Sequence, residues 1–185
     1  MDGLRTAVRL SPALFTFGRM RYKLAGMRIG VLSDTHDRLP AIDAALAAFA
    51  RAGVQAILHP GDLVAPFAAR RLLGWKGPLY VTYGNNDGER EGLRSILPQI
   101  QDGPVFVELA GKRILLQHDL ARCKSTDLDK AEIVVTGHTH EVVNEVRDNR
   151  LVLNPGECCG WVSGRSTVAV LDTDAFSANI VELTL

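Results

Sequence analysis

Cysteine is scarce: Cys123, Cys158 and Cys159 are the full set, an odd number with two of them adjacent. That is no disulfide framework, and it makes a reducing, cytoplasmic setting the expectation. Net charge is missing too, since 21 basic residues balance 21 acidic ones. A protein that grips a nucleic-acid backbone usually carries a basic face, so stable nucleic-acid binding is not expected. No apolar run is long enough to cross a membrane. Repeats and low-complexity tracts are also lacking.

What is present is a chain of 185 residues, 46% of them hydrophobic, enough to bury one core without staples. Residues 1–26 stand apart, with Arg5, Arg9, Arg19, Arg21 and Lys23 against Asp2 alone. Pro12 interrupts any helix there, and residues 10–17 are too short for a secretory core followed by a cleavage site. A loosely ordered basic extension is expected, or an upstream start with Met27 as the natural first residue. An Arg-rich, acid-poor organellar presequence is the alternative.

Residues 27–185 read as the domain. Residues 28–33, 54–58 and 79–83 read as strands, and 40–52 and 65–73 as the helices between them. This β-α-β-α-β order predicts a mostly parallel sheet. A short polar helix over 89–97 follows, and then the rhythm changes to strands at 105–109, 113–117, 133–135, 142–147, 150–153, 167–171 and 178–183. Asp148-Asn149 is a tight-turn candidate between two of them. Between His118 and Ile133 the periodicity is poor, so any helix there is short. A mixed α/β domain with two sheets face to face and helices outside fits this count.

Polar residues gather where the apparent strands end: Asp34, His36, Asp62, Asn85, His118, His138 and His140. Open α/β sheets carry their sites at those ends. At the end of a buried strand, Asp34 and His36 point the same way, because side chains repeat with period two. A hard oxygen beside a borderline nitrogen suits a first-row divalent ion. Seven such groups exceed the three that one catalytic zinc takes, and with one shared carboxylate they suit two ions about 3.5–4 Å apart. Asp and Asn are also common turn and cap residues, but four histidines are harder to explain that way.

Asp34-x-His36, Gly61-Asp62, Gly84-Asn85-x-Asp87, His118 and Gly137-His138-x-His140 resemble, in order, the motifs of the calcineurin-like metallophosphoesterases. Ser33–Asp37, Tyr83–Arg90 and Asn154–Gly160 are similar to the small single-domain prokaryotic phosphodiesterases of that superfamily. The resemblance covers about Met27 to the C-terminus. It implies a four-layer α/β/β/α sandwich with two mixed sheets, and hydrolysis of small phosphate esters by a water or hydroxide activated between two metals. By this resemblance Asp34, His36 and His140 hold one ion, Asn85, His118 and His138 the other, and Asp62 bridges them. Manganese is the expected ion, with nickel, iron or zinc as alternatives.

Two departures qualify the resemblance. Many relatives place a histidine after the Gly-Asn pair, where this chain has Asn86, which cannot shuttle a proton near neutral pH. The subgroup shares that lack, and leaving groups of low pKa should be preferred. The subgroup also reads His-Gly-His where this chain reads His118-Asp119-Leu120, which puts a negative charge beside an anionic substrate. Asn86 and Arg90 could contact phosphate or belong to a solvated loop. His59 reads better as a satisfied core histidine than as a ligand, Asp87 as a turn brace, and Cys158 and Cys159 as packed thiols. A binding scaffold of the same fold, as in the retromer-subunit relatives, is the alternative function, and a phosphomonoesterase on a small metabolite is another. Apolar edges leave a homodimer open.

Overall fold

The computed structural model describes residues 26–185. The basic extension expected over 1–26 lies, Gly26 apart, outside the described residues. Two five-stranded sheets pack face to face. The first has the order β10-β9-β1-β2-β3, from Ser177–Glu182, Thr167–Asp172, Arg28–Val31, Ala56–His59 and Leu79–Val81. The second has the order β4-β5-β6-β8-β7, from Val105–Leu109, Lys112–Leu116, Ile133–Val135, Arg150–Pro155 and Val142–Arg147.

Period-two alternation builds the layers. Ile29 and Val31 of β1, Ala56 and Leu58 of β2, Ile114 and Leu116 of β5, and Ile133 and Val135 of β6 meet in the core between the sheets. The intervening residues face outward. Ile57 joins Ile42, Phe49, Leu72 and Leu93 under helices α1 (Leu39–Ala52), α2 (Pro66–Leu72) and α3 (Arg90–Ile96). Gly30 lets α1 sit close, since a Cβ there would lie 2.8 Å from the Phe49 ring. Leu115 and Val134 face the other side, under Leu128 of α4 (Ser125–Leu128). That fourth layer is thin, as the poor periodicity after His118 leads one to expect.

β1, β2 and β3 are parallel, but β9 pairs antiparallel with β1 and β10 antiparallel with β9, so the first sheet is mixed. Crossover helices dictate the parallel half; the returning strands join an edge that local periodicity does not announce. In the second sheet β5, β6 and β8 run parallel. Asp148 and Asn149, at φ 49° and 60°, close the β7–β8 hairpin as a two-residue turn that needs positive φ at both positions. Among the described residues no helix is long and apolar enough to cross a membrane.

Candidate metal centre

Loops leaving the carboxyl ends of β1, β2, β3, β5, β6 and β8 meet at one rim. There the period-two expectation fails: β1 ends at Val31, and Asp34 and His36 sit at φ 53° and 37°, in the left-handed region. The two side chains still converge, through the turn and not through strand pleating, with His36 Nε2 3.9 Å from Asp34 Oδ1. Asp62, His138 and His140 share the left-handed conformation, at φ 60°, 72° and 61°. Each such residue costs of order 1 kcal/mol or more and persists only where its surroundings enforce it.

The enforcement is visible. Asp34, Thr35, His36 and Asp37 donate their backbone N–H groups to carbonyls of Gly61, Asp62 and Leu63, which zips the first loop to the second. On the other flank Cys158 and Cys159 donate to the carbonyls of Ser33 and Asp34. The buried Asp87 carboxylate accepts from the N–H groups of Asp62, Val64 and Gly84 at 3.0, 2.7 and 2.7 Å, so it braces two loops. Two glycines allow the loops to close. A Cβ on Gly84 would stand 2.0 Å from Asp62 Oδ1, and one on Gly137 would stand 2.6 Å from Asp34 Oδ2.

All seven expected donors come together. His36 Nε2 lies 3.5 Å from Asp62 Oδ2, His118 Nε2 3.4 Å from the same oxygen, and His140 Nε2 3.4 Å from Asp34 Oδ1. Asn85 Oδ1 lies 2.9 Å from His118 Nε2 and 2.8 Å from His138 Nδ1. The longer separations exceed hydrogen bonds. They match two donors around one ion, since atoms about 2.1 Å from a tetrahedral centre are about 3.4 Å apart.

Tautomers sharpen the picture. His118 Nδ1 lies 2.9 Å from the Pro60 carbonyl and must donate to it, which leaves the Nε2 lone pair facing Asn85 and Asp62. His140 Nδ1 likewise donates to Glu157 at 2.9 Å, so its Nε2 faces Asp34. Buried His36 Nε2 has no hydrogen-bond partner. Acceptors that face acceptors require either extra protons or a cation, and this donor set fits divalent ions. With protons alone the charges adjust: burial raises the Asp34 carboxyl, while for His118 the Asp62 carboxylate outweighs burial and raises the imidazole. Burial opposes ionisation of Asp62, but the positive charge of a protonated His118 and hydrogen bonds from Asn86 hold it well below the usual carboxylate range.

Other expected residues have clear partners. Asn86 gives its backbone N–H to Asp62 Oδ1 at 2.8 Å and one N–H of its side-chain amide to Asp62 Oδ2 at 2.6 Å, so the carboxylate holds it in place. Arg90 pairs with Asp102 and lies 3.9 Å over the Tyr83 ring, at the edge of a polar cleft of about 150 Å³ that reaches Asn85 and His118. Asp119 caps the turn Leu120–Arg122 by accepting from Ala121 N–H at 3.0 Å, and Arg122 stands 3.5 Å away, which offsets its charge. His59 is fully buried; its Nδ1 accepts from Gly61 N–H, and burial followed by the neighbouring His118 pushes its pKa down to about 3. Cys158 is packed in the core, and burial with the Glu157 carboxylate holds the Cys159 thiol up at about 12.

Glu157 was not foreseen. It is fully buried and accepts from His140 Nδ1, from Cys159 Sγ at 3.1 Å, and from the backbone N–H groups of Trp161, Val162 and Ser163. Burial alone would raise its carboxyl, but donors from Ser163, Cys159 and Val162 bring it down to about 2. The signal available in the sequence was a lone acid inside the otherwise uncharged stretch 151–164.

Known proteins resemble this arrangement. Residues 27–175 match the profile of the calcineurin-like phosphoesterase superfamily domain. A phosphodiesterase of Methanocaldococcus jannaschii is 38% identical over 156 residues, covering 80% of this chain and 94% of that protein. The solved structure of an archaeal phosphodiesterase superposes with a TM-score of 0.74 at 36% identity, over 85% of this chain and all of that one. A vacuolar protein sorting 29 protein of Cryptosporidium parvum shares the fold, with a TM-score of 0.59 at 18% identity over 85% of this chain and 96% of its own.

Proposed function

The chain belongs to the calcineurin-like phosphoesterase superfamily, and from that premise we propose that it is a metal-dependent phosphodiesterase for small phosphate esters. In this reading Asp34, His36 and His140 hold one divalent ion and Asn85, His118 and His138 the other. Asp62 would stand between them, its Oδ2 facing His36 of one set and His118 of the other. Manganese is proposed first for this mixed nitrogen and oxygen set, ahead of nickel, iron and zinc. The observation that carries the reading is the aim of two imidazoles: His118 and His140 give their Nδ1 protons to the Pro60 carbonyl and to Glu157, and their Nε2 atoms stand 3.4 Å from Asp62 and Asp34.

Two bound ions would supply the Lewis acidity that makes water a nucleophile near neutral pH and offsets charge on the phosphoryl oxygens. The chain's own part is positioning. Asn86 fixes both oxygens of Asp62, His138 N–H donates to Asp34, and Glu157 and the Pro60 carbonyl set two imidazoles. Arg90 and Arg122 line the cleft beside Asn85 together with their partners Asp102 and Asp119, which leaves it polar and balanced in charge. With Asn86 turned to Asp62 and no histidine beside it, the leaving alcohol finds no proton donor there, so alcohols of low pKa are expected to leave best.

Three free cysteines support a reducing, cytoplasmic setting, and exposed Val142 and Val146 on the edge strand β7 support a homodimer. A scaffold role rests on fold likeness alone. Dialysis against a chelator should abolish hydrolysis of bis-p-nitrophenyl phosphate, and manganese should restore it. Hydrolysis that survives chelation would refute the metal-dependent reading.

A further inference from the structure

We propose that the segment Gly160–Gly164 is a shelf for a flat aromatic or heteroaromatic group of the substrate, such as a nucleobase, with Trp161 as its surface and Glu157 as its anchor. This deepens the phosphodiesterase reading and rests on it. Trp161 is 63% exposed and Val162 76%, the two most exposed large apolar residues among those described. The Trp161 ring lies 6.4 Å from the His36 ring, tilted by 36°. A phosphate bound to an ion that Asp34 and His36 hold would bring its ester substituent within reach of the indole face.

The segment is held firmly for an exposed loop. Its backbone N–H groups at Trp161, Val162 and Ser163 all donate to the Glu157 carboxylate, and the glycines at its two ends take φ of 63° and 75°. A buried carboxylate is costly unless its partners satisfy it. Here three of those partners lie in a tip that presents two apolar side chains to solvent. The same oxygen, Oε2, accepts from His140 Nδ1 and from Trp161 N–H, so shelf and candidate metal ligand share one anchor. The opposite flank of the centre is unlike this one, since the cleft beside His118 carries Arg90, Asp102, Asp119 and Arg122. The two substituents of a phosphodiester thus meet unlike walls, aromatic on the His36 side and polar on the His118 side.

The test uses the full chain loaded with manganese. Phenylphosphonate and methylphosphonate are compared as inhibitors of bis-p-nitrophenyl phosphate hydrolysis, and p-nitrophenylphosphonate is titrated while tryptophan fluorescence is followed. The phenyl compound should bind about 5- to 150-fold more tightly, the range for one stacked base. Trp161→Ala should close that gap and Trp161→Phe should keep most of it, with methylphosphonate unchanged in both. Nitrophenyl quenching should be strong in the parent and lost in Trp161→Phe, where only Trp75 remains. Equal binding of the two phosphonates, or a gap that survives Trp161→Ala, overturns the shelf and leaves the phosphodiesterase reading standing. Failure of both phosphonates to bind, together with no hydrolysis, overturns both.

Discussion

The His140 imidazole has a different neighbour on each nitrogen, Glu157 at Nδ1 and Asp34 at Nε2. A carboxylate behind a ligating histidine fixes its tautomer and raises its basicity. Glu157→Gln keeps one oxygen but turns an NH2 toward backbone N–H groups that need an acceptor. Manganese affinity should fall about 10- to 100-fold, read by calorimetric titration of the metal into chelator-treated protein. An unchanged affinity would mean that His140 is oriented by its backbone alone. Residue by residue, the donors were legible because Asp, Asn and His at strand ends are few and chemically distinctive. Partners were not: nothing near Asn86 in sequence shows that Asp62 takes its amide, nor that Asp119 is balanced by capping its own turn and by Arg122.

Loops, more than strands, give the centre its shape. The strands β1, β2 and β6 were legible from apolar runs and their order, but the left-handed turns at Asp34, His36, Asp62, His138 and His140 were not, since these residue types carry no obligation to positive φ. Close approach leaves a clearer mark, because only glycine fits where backbone meets a carboxylate. Gly84→Ala would thrust its methyl group 2.0 Å from Asp62 Oδ1. The carboxylate or the β3 loop must move, and overpacking of this kind costs about 1–3 kcal/mol. Urea unfolding of metal-free protein should show that loss, and elemental analysis after manganese loading should show depleted metal. Full metal content in a stable variant would place the Gly84 loop outside the centre.

On the scale of the whole molecule, the first sheet supplies Asp34, His36, Asp62 and Asn85, and the second supplies His118, His138 and His140. An ion bound among them joins the two halves of the sandwich and binds the native state alone. At a hundredfold excess over its dissociation constant, such a ligand stabilises by about 2.7 kcal/mol. For a chain of this size that raises the melting temperature by about 5–11 °C. Manganese should produce this rise in thermal scanning of chelator-treated protein, and Asp62→Ala should abolish it. A rise that persists in the variant would assign the stabilisation to ions bound elsewhere.

Strand direction decides how the protein is best tethered. β1 runs toward the centre, so Gly26, whose N–H donates to Asp174, stands at the opposite pole. β10 is antiparallel to β9, which is antiparallel to β1, so β10 points the same way as β1 and delivers Leu185 toward the candidate centre. A bead or biosensor chip coupled at Gly26 itself therefore sits away from the candidate centre, whereas a carboxyl-terminal linkage brings the support toward the centre.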